Sequence, residues 1–73
     1  MNTKYDLVDN IIDYENGELG DVKTLELFSH LIKTGKIYSL QGSYGRTARA
    51  LIESEWLFAD GNINKQKVED NDL

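Results

Sequence analysis

Seventy-three residues with a formal net charge of −5, no cysteine and no proline describe one small domain. That length excludes a two-domain enzyme and lies near the size at which a single core is only marginally stable, while the lack of cysteine removes a disulfide framework or a cysteine-based zinc site as help. Hydrophobic residues make up 40% and show helical periods, which argues against a disordered chain; no run approaches the roughly 18 apolar residues of a membrane span, and Met1-Asn2-Thr3-Lys4 does not read as a signal sequence, so a soluble intracellular protein is expected.

The charges are unevenly spread. Residues 1–26 carry seven acids against Lys4 and Lys23, residues 27–52 carry Lys33, Lys36, Arg46 and Arg49 and no acid, and residues 53–73 carry six acids against Lys65 and Lys67. A basic centre between acidic ends sets the local fields that a partner meets.

Thr3 is the expected N-cap of a first helix over 4–15, with Asp6 three residues on. Val8, Ile11, Ile12 and Glu15, with Tyr5 and Leu7 beside them, predict a half-buried stripe. Asp6, Asp9, Asn10 and Asp13 form the opposite face, read as a solvated acidic surface or, more sharply, as one that docks on a basic partner or imitates nucleic acid. Asn16-Gly17 predicts the helix end, and Asp21 the N-cap of a second helix over 22–34 that stops at Gly35. Val22, Leu25, Leu27, Phe28, Leu31 and Ile32 cover more of its circumference than one stripe requires. The second side is expected to lie against the third helix or a second copy of the chain, with the homodimer preferred.

Residues 36–40 predict a short helical turn, with Ile37 and Leu40 inward and Tyr38 and Gln41 freer to face a partner. A glycine-hinged turn follows at Gly42-Ser43-Tyr44-Gly45, with Ser43 as N-cap of a third helix ending at Ser54 or Glu55. Tyr44, Thr47, Ala48, Leu51 and Ile52 share its inner face, while Arg46 and Arg49 point outward and Arg49 pairs with Glu53 at i, i+4. Residues 56–63 read as an apolar patch closing into an Asp-Gly turn, with Trp56 and Phe58 locking the third helix onto the others. Residues 64–73 hold almost nothing apolar and are expected to be a disordered acidic tail. The fold class expected is all-α, a compact three-to-four-helix domain over 1–63 with a short C-terminal turn, as a homodimer.

No chemistry stands out along the chain. His30 is the single histidine and has no acid or second ligand at metal or catalytic spacing, and Asp9 and Asp13 share a helix face with nothing to split their pKa values. The glycine turn matches neither a phosphate loop nor a dinucleotide fingerprint. No enzyme, metal or cofactor is therefore expected. A helix-turn-helix-like DNA-binding or transcription-regulating protein is one alternative, with Arg46 and Arg49 on its recognition helix. Few basic residues in an acidic molecule argue against it. The preferred reading is an interaction protein whose partner-binding residues are Tyr38, Gln41, Tyr44, Arg46 and Arg49, since Tyr and Arg are the types that anchor interfaces.

Three runs carry a resemblance: Ile12-Asp13-Tyr14-Glu15-Asn16-Gly17-Glu18-Leu19, Leu27-Phe28-Ser29-His30-Leu31-Ile32-Lys33-Thr34-Gly35, and Leu40-Gln41-Gly42-Ser43-Tyr44-Gly45-Arg46-Thr47-Ala48 followed by Ala50-Leu51-Ile52. Over about residues 5–63 the chain resembles a widespread family of very small tailed-phage proteins. Within it the chain is similar to a phage inhibitor of the bacterial BREX defence system. That likeness implies an anti-restriction role through binding to BrxC, the AAA+ ATPase of BREX, in the host bacterial cytoplasm, and a homodimeric helical fold. The family often has a glycine where this chain has Glu55, followed by a smaller apolar residue than Trp56, so a different helix end is expected there.

Overall fold

A computed structural model describes residues 6–73 as an all-α arrangement: α1 (Leu7–Glu15), α2 (Asp21–Thr34), a 3-10 turn (Lys36–Ser39), α3 (Gly42–Glu53) and α4 (Lys65–Asp70). The Thr3 cap and the first helical residues Lys4 and Tyr5 expected from sequence lie outside the described residues. Asp6 is instead the N-cap of α1, its Oδ1 accepting from the Asp9 amide at 3.2 Å. Leu7, Ile11 and Tyr14, at i, i+4 and i+7, pack against the core, whereas Val8 and Ile12 remain 66% and 50% exposed. The half-buried stripe of α1 is thus centred one residue away from its expected position. The cause is Tyr14, whose ring meets Phe28 edge-on at 5.3 Å and Tyr44 at 5.7 Å and so turns that side of the helix inward.

α2 is the centre of the fold. Gly20, and not Asp21, is its N-cap, and Gly35 closes it in the left-handed region at φ 76°. Leu25, Leu27, Phe28, Ser29 and Leu31 are buried, and the core they form includes Ile37 of the 3-10 turn, Tyr44 and Ala48 of α3 and Leu57. Most of the broad apolar surface of α2 is therefore covered within one chain, by the 3-10 turn, α3 and the segment after it, while Val22 and Ile32 stay half-buried.

α3 begins at Gly42, with Gln41 as N-cap and no side-chain capping bond, so Ser43 lies inside the first turn and is not the cap. Its end is formed by two backbone bonds, from the Glu55 amide to Ile52 O at 3.0 Å and from the Trp56 amide to Leu51 O at 2.9 Å. This pattern demands a left-handed residue, and Glu55 takes it at φ 67°. The helix end is thus the one a glycine would make, at the position where the resembling family often carries glycine. A left-handed non-glycine residue costs about 1–2 kcal/mol. Glu55→Gly is expected to raise stability by about 1 kcal/mol, read as a higher urea midpoint at unchanged m-value.

Residues 57–63 form a tight hairpin with a single antiparallel bridge between Leu57 and Ile63. Leu57 is buried at 1% exposure while Phe58 is 51% exposed. Leu57 and the half-buried Trp56 hold this segment to the core, whereas Phe58, expected to do so, faces solvent.

Residues 64–73 are not a disordered tail. Asn64 caps α4 by accepting from the Lys67 amide at 3.3 Å, and its side chain donates to Glu55 O at 2.9 Å. Val68 packs on the core, and Lys67 lies 4.9 Å from the Trp56 ring centre. Six residues are too few to be helical alone; these tertiary contacts hold the turn.

Candidate partner-binding surface

The 3-10 turn and α3 bring two of the expected contact residues, Tyr38 and Arg49, to one groove. Ile37 is buried, so its neighbour Tyr38 is turned outward and is 89% exposed. Gln41 ends the connector, and Arg46 and Arg49 project from the solvent side of α3. Tyr38 and Arg49 form the rim of a groove of about 210 Å³, whose floor and walls are Ile32, Ile37, Gly45, Ala48, Ile52 and Ala59. Small-molecule sites usually measure roughly 300–1,000 Å³. This groove suits one or two protruding aliphatic side chains better.

The charges on its edge are free to change partners. Arg49 Nε donates to Glu53 Oε2 at 3.1 Å, but the two side chains are 81% and 66% exposed. Such a pair is worth at most about 1 kcal/mol, so an incoming carboxylate can replace Glu53 at little cost. Arg46 folds back towards the start of its helix, its Nη1 lying 3.3 Å from the point a Cβ on Gly42 would occupy.

Tyr44 does not belong to this surface. It is buried at 5% exposure against Tyr14 and Phe28, and its hydroxyl donates to Glu15 Oε2 at 2.5 Å. A position on the inner face of α3 decides this, since the ring is needed to bridge α1 and α2. Its role is to tie the end of α1 to α3. Burial first, and then the hydrogen bond and charge of Glu15, push the Tyr44 phenol from its ordinary 10.0 up to about 12. The native state therefore holds this proton more tightly than the unfolded chain does. The stabilisation is complete below about pH 10 and is lost as pH rises through about 12. Absorbance titration near 295 nm should show one of the four tyrosines ionising at about pH 12, and Tyr44→Phe should remove that limb.

Sequence reasoning missed Phe58, Val8 and Ile12 as exposed apolar side chains. On α1 the expected stripe included Val8 and Ile12, and the docking of Tyr14 turned the Leu7–Ile11 side inward instead. The acidic side of α1 is real: the Asp6 carboxylate, by hydrogen bonding and charge, and then Asp13 hold Asp9 above the usual carboxylate range. Among the described residues no group of three or more His, Cys, Asp or Glu side chains could hold a metal, and no helix is long and apolar enough to cross a membrane. The α2 to α3 connector spans residues 35–41, longer than the three- or four-residue turn of a helix-turn-helix.

The model of a domain of unknown function, DUF7417, matches residues 1–71. The chain belongs to the DUF7417 family. The match runs through α4, so the DUF7417 domain includes the C-terminal turn as well as α1 to α3. No curated protein and no solved structure matches this DUF7417 chain.

Proposed function

We propose that this DUF7417 protein acts by stoichiometric binding, as a phage anti-restriction factor that inhibits a bacterial BREX system by occupying its BrxC AAA+ ATPase. The observation that supports a binding role is Tyr38, 89% exposed at the rim of an apolar groove beside Arg49. A large aromatic side chain held out of an otherwise well-filled core offers contact area with little ordering cost, and the arginines beside it can seek carboxylates. The identity of the target rests on the resemblance to OrbA, the phage inhibitor of BREX. In this reading Tyr38, Gln41, Arg46 and Arg49 cover a surface that the ATPase needs for assembly or DNA engagement.

Affinity capture of the tagged protein from cells carrying BREX, after nuclease treatment, should enrich the ATPase. Recovery of nucleic acid without the ATPase would overturn the reading in favour of the DNA-binding alternative. Arg46→Glu combined with Arg49→Glu should leave the helical circular dichroism unchanged, because both side chains are exposed. The same double variant should weaken the complex tenfold or more, about 1.4 kcal/mol. Undiminished binding by the folded variant would move the site to the acidic side of α1.

A further inference from the structure

The start of α2 and the end of α3 enclose, with the chain that follows α4, a cleft of about 360 Å³ that shares no lining residue with the Tyr38–Arg49 groove. Its size falls within the roughly 300–1,000 Å³ of small-molecule sites. Leu25, Leu51, Trp56 and Leu73 supply its apolar walls, and Asp21, Thr24 and Asn71 its polar ones. The bonds those three already make decide what they can receive. The Thr24 hydroxyl donates to Gly20 O at 2.8 Å, which uses its proton and leaves its lone pairs. The Asn71 side-chain nitrogen donates to Lys67 O at 2.8 Å, while its Oδ1 accepts nothing from the described residues. Asp21 makes no hydrogen bond or ion pair among the described residues, and its carboxylate can only accept. The polar lining is thus a set of acceptors, one of them fully charged. The first turn of α2 has no side-chain cap, so its amides place about half a positive unit near Asp21; this lessens the carboxylate's charge without cancelling it. No basic side chain of the described residues lines the cleft. Lys67, the cation set against Trp56 at 4.9 Å, is held outside it by donating to Ser54 O.

We propose that this cleft binds a small organic cation, a primary ammonium carried on a flat apolar body. A primary ammonium has only donors to give, and the polar lining has only acceptors left to offer. The body lies on the half-buried Trp56 ring and on Leu25 and Leu51, whose inner sides belong to the core. A neutral molecule of the same shape leaves the Asp21 charge without a partner, and an anion is repelled by it. Asn71 and Leu73 follow α4, so an occupant also joins the end of the described chain to the start of α2.

Trp56 is the single tryptophan, so its fluorescence reports on the cleft directly. The full chain is titrated with phenethylamine, with phenethyl alcohol as the neutral match and phenylacetate as the anionic one. Phenethylamine should give a saturable change and bind about fivefold more tightly than the alcohol, the size of one ion pair near a surface. Phenylacetate should not saturate. Asp21→Asn should bring the amine down to the level of the alcohol and leave the alcohol unchanged. Asn71→Asp, at an exposed position, should tighten the amine by about threefold and keeps the test in hand if Asp21→Asn disturbs α2. Equal binding of amine and alcohol, no saturation by the amine, or a folded Asp21→Asn variant that binds it as before would overturn the proposal. Tighter binding by Nα-acetyl-lysine amide than by phenethylamine would overturn it as well, in favour of a lysine side chain from a partner protein. Capture of the BREX ATPase is a separate matter, since the cleft and the groove have no residue in common.

Discussion

Phe28→Ala is expected to abolish a stable fold. Phe28 has no exposed surface and stands at the crossing of the three helices, its ring 5.3 Å from that of Tyr14 on α1 and 6.0 Å from that of Tyr44 on α3. Truncation removes the ring that joins Tyr14 to α2, and α1 then keeps the side chains of Leu7 and Ile11, the Tyr14–Tyr44 ring contact and the Tyr44–Glu15 bond. Deleting a buried phenylalanine costs about 3–5 kcal/mol. A domain of this length has about 4–11 kcal/mol in all. Far-UV circular dichroism should show a thermal midpoint lowered by more than 15 °C, or no cooperative transition. Phe28→Leu should recover most of the loss by refilling the space, at a cost of about 1 kcal/mol. A cooperative transition at the wild-type temperature in Phe28→Ala would show that the aromatic cluster does not hold α1.

The second large effect is expected at Gly61, where a single methyl group should cost about 3 kcal/mol. This residue is buried in the hairpin at φ 94°, where side-chain-bearing residues are strained. Its amide donates to Phe58 O at 2.8 Å, so the turn cannot simply rotate to a commoner conformation. A Cβ would lie 2.9 Å from Lys33 Cγ, 3.1 Å from Ser29 O and 3.2 Å from Ile32 Cγ2. The lysine can swing away, but Ser29 O belongs to the backbone of α2 and cannot. The hairpin would have to lift, and with it Leu57 would leave the core. Gly61→Ala should lower the thermal midpoint by about 10–20 °C. Gly45→Ala is the control, because a Cβ there meets nothing and a helical alanine is favoured by up to about 1 kcal/mol. Equal stability of the two variants would mean that the hairpin does not press on α2.

The first three helices and their C-terminal ends follow from local rules. Gly17 and Gly35 end their helices in the left-handed region, as their places after apolar helical runs imply. Ile37 turns inward and Tyr38 outward because a short helical turn leaves no other choice once Ile37 is buried. The outward arginines and the Arg49–Glu53 pair follow from the spacing along α3. These features depend on neighbours within four residues, and the sequence contains all of that information.

What is settled by distant contacts was not legible in that way. The inward side of α1, Leu7, Ile11 and Tyr14, was chosen by Phe28 and Tyr44, the latter thirty residues along the chain from Tyr14. That choice left Val8 and Ile12 outside and took Tyr44 away from the binding surface. The last turn has too few residues to hold a helix alone, and it forms because Asn64, Lys67 and Val68 find the end of α3, Trp56 and the core. Likewise, the covering of most of α2 required knowing that separate segments converge on it. The sequence alone determined an all-α fold, the first three helices and where they end, through periods and helix stops that act over one or two turns. Only the tertiary structure decided which apolar side chains were left over for partners, because burial is shared out among segments far apart in the chain.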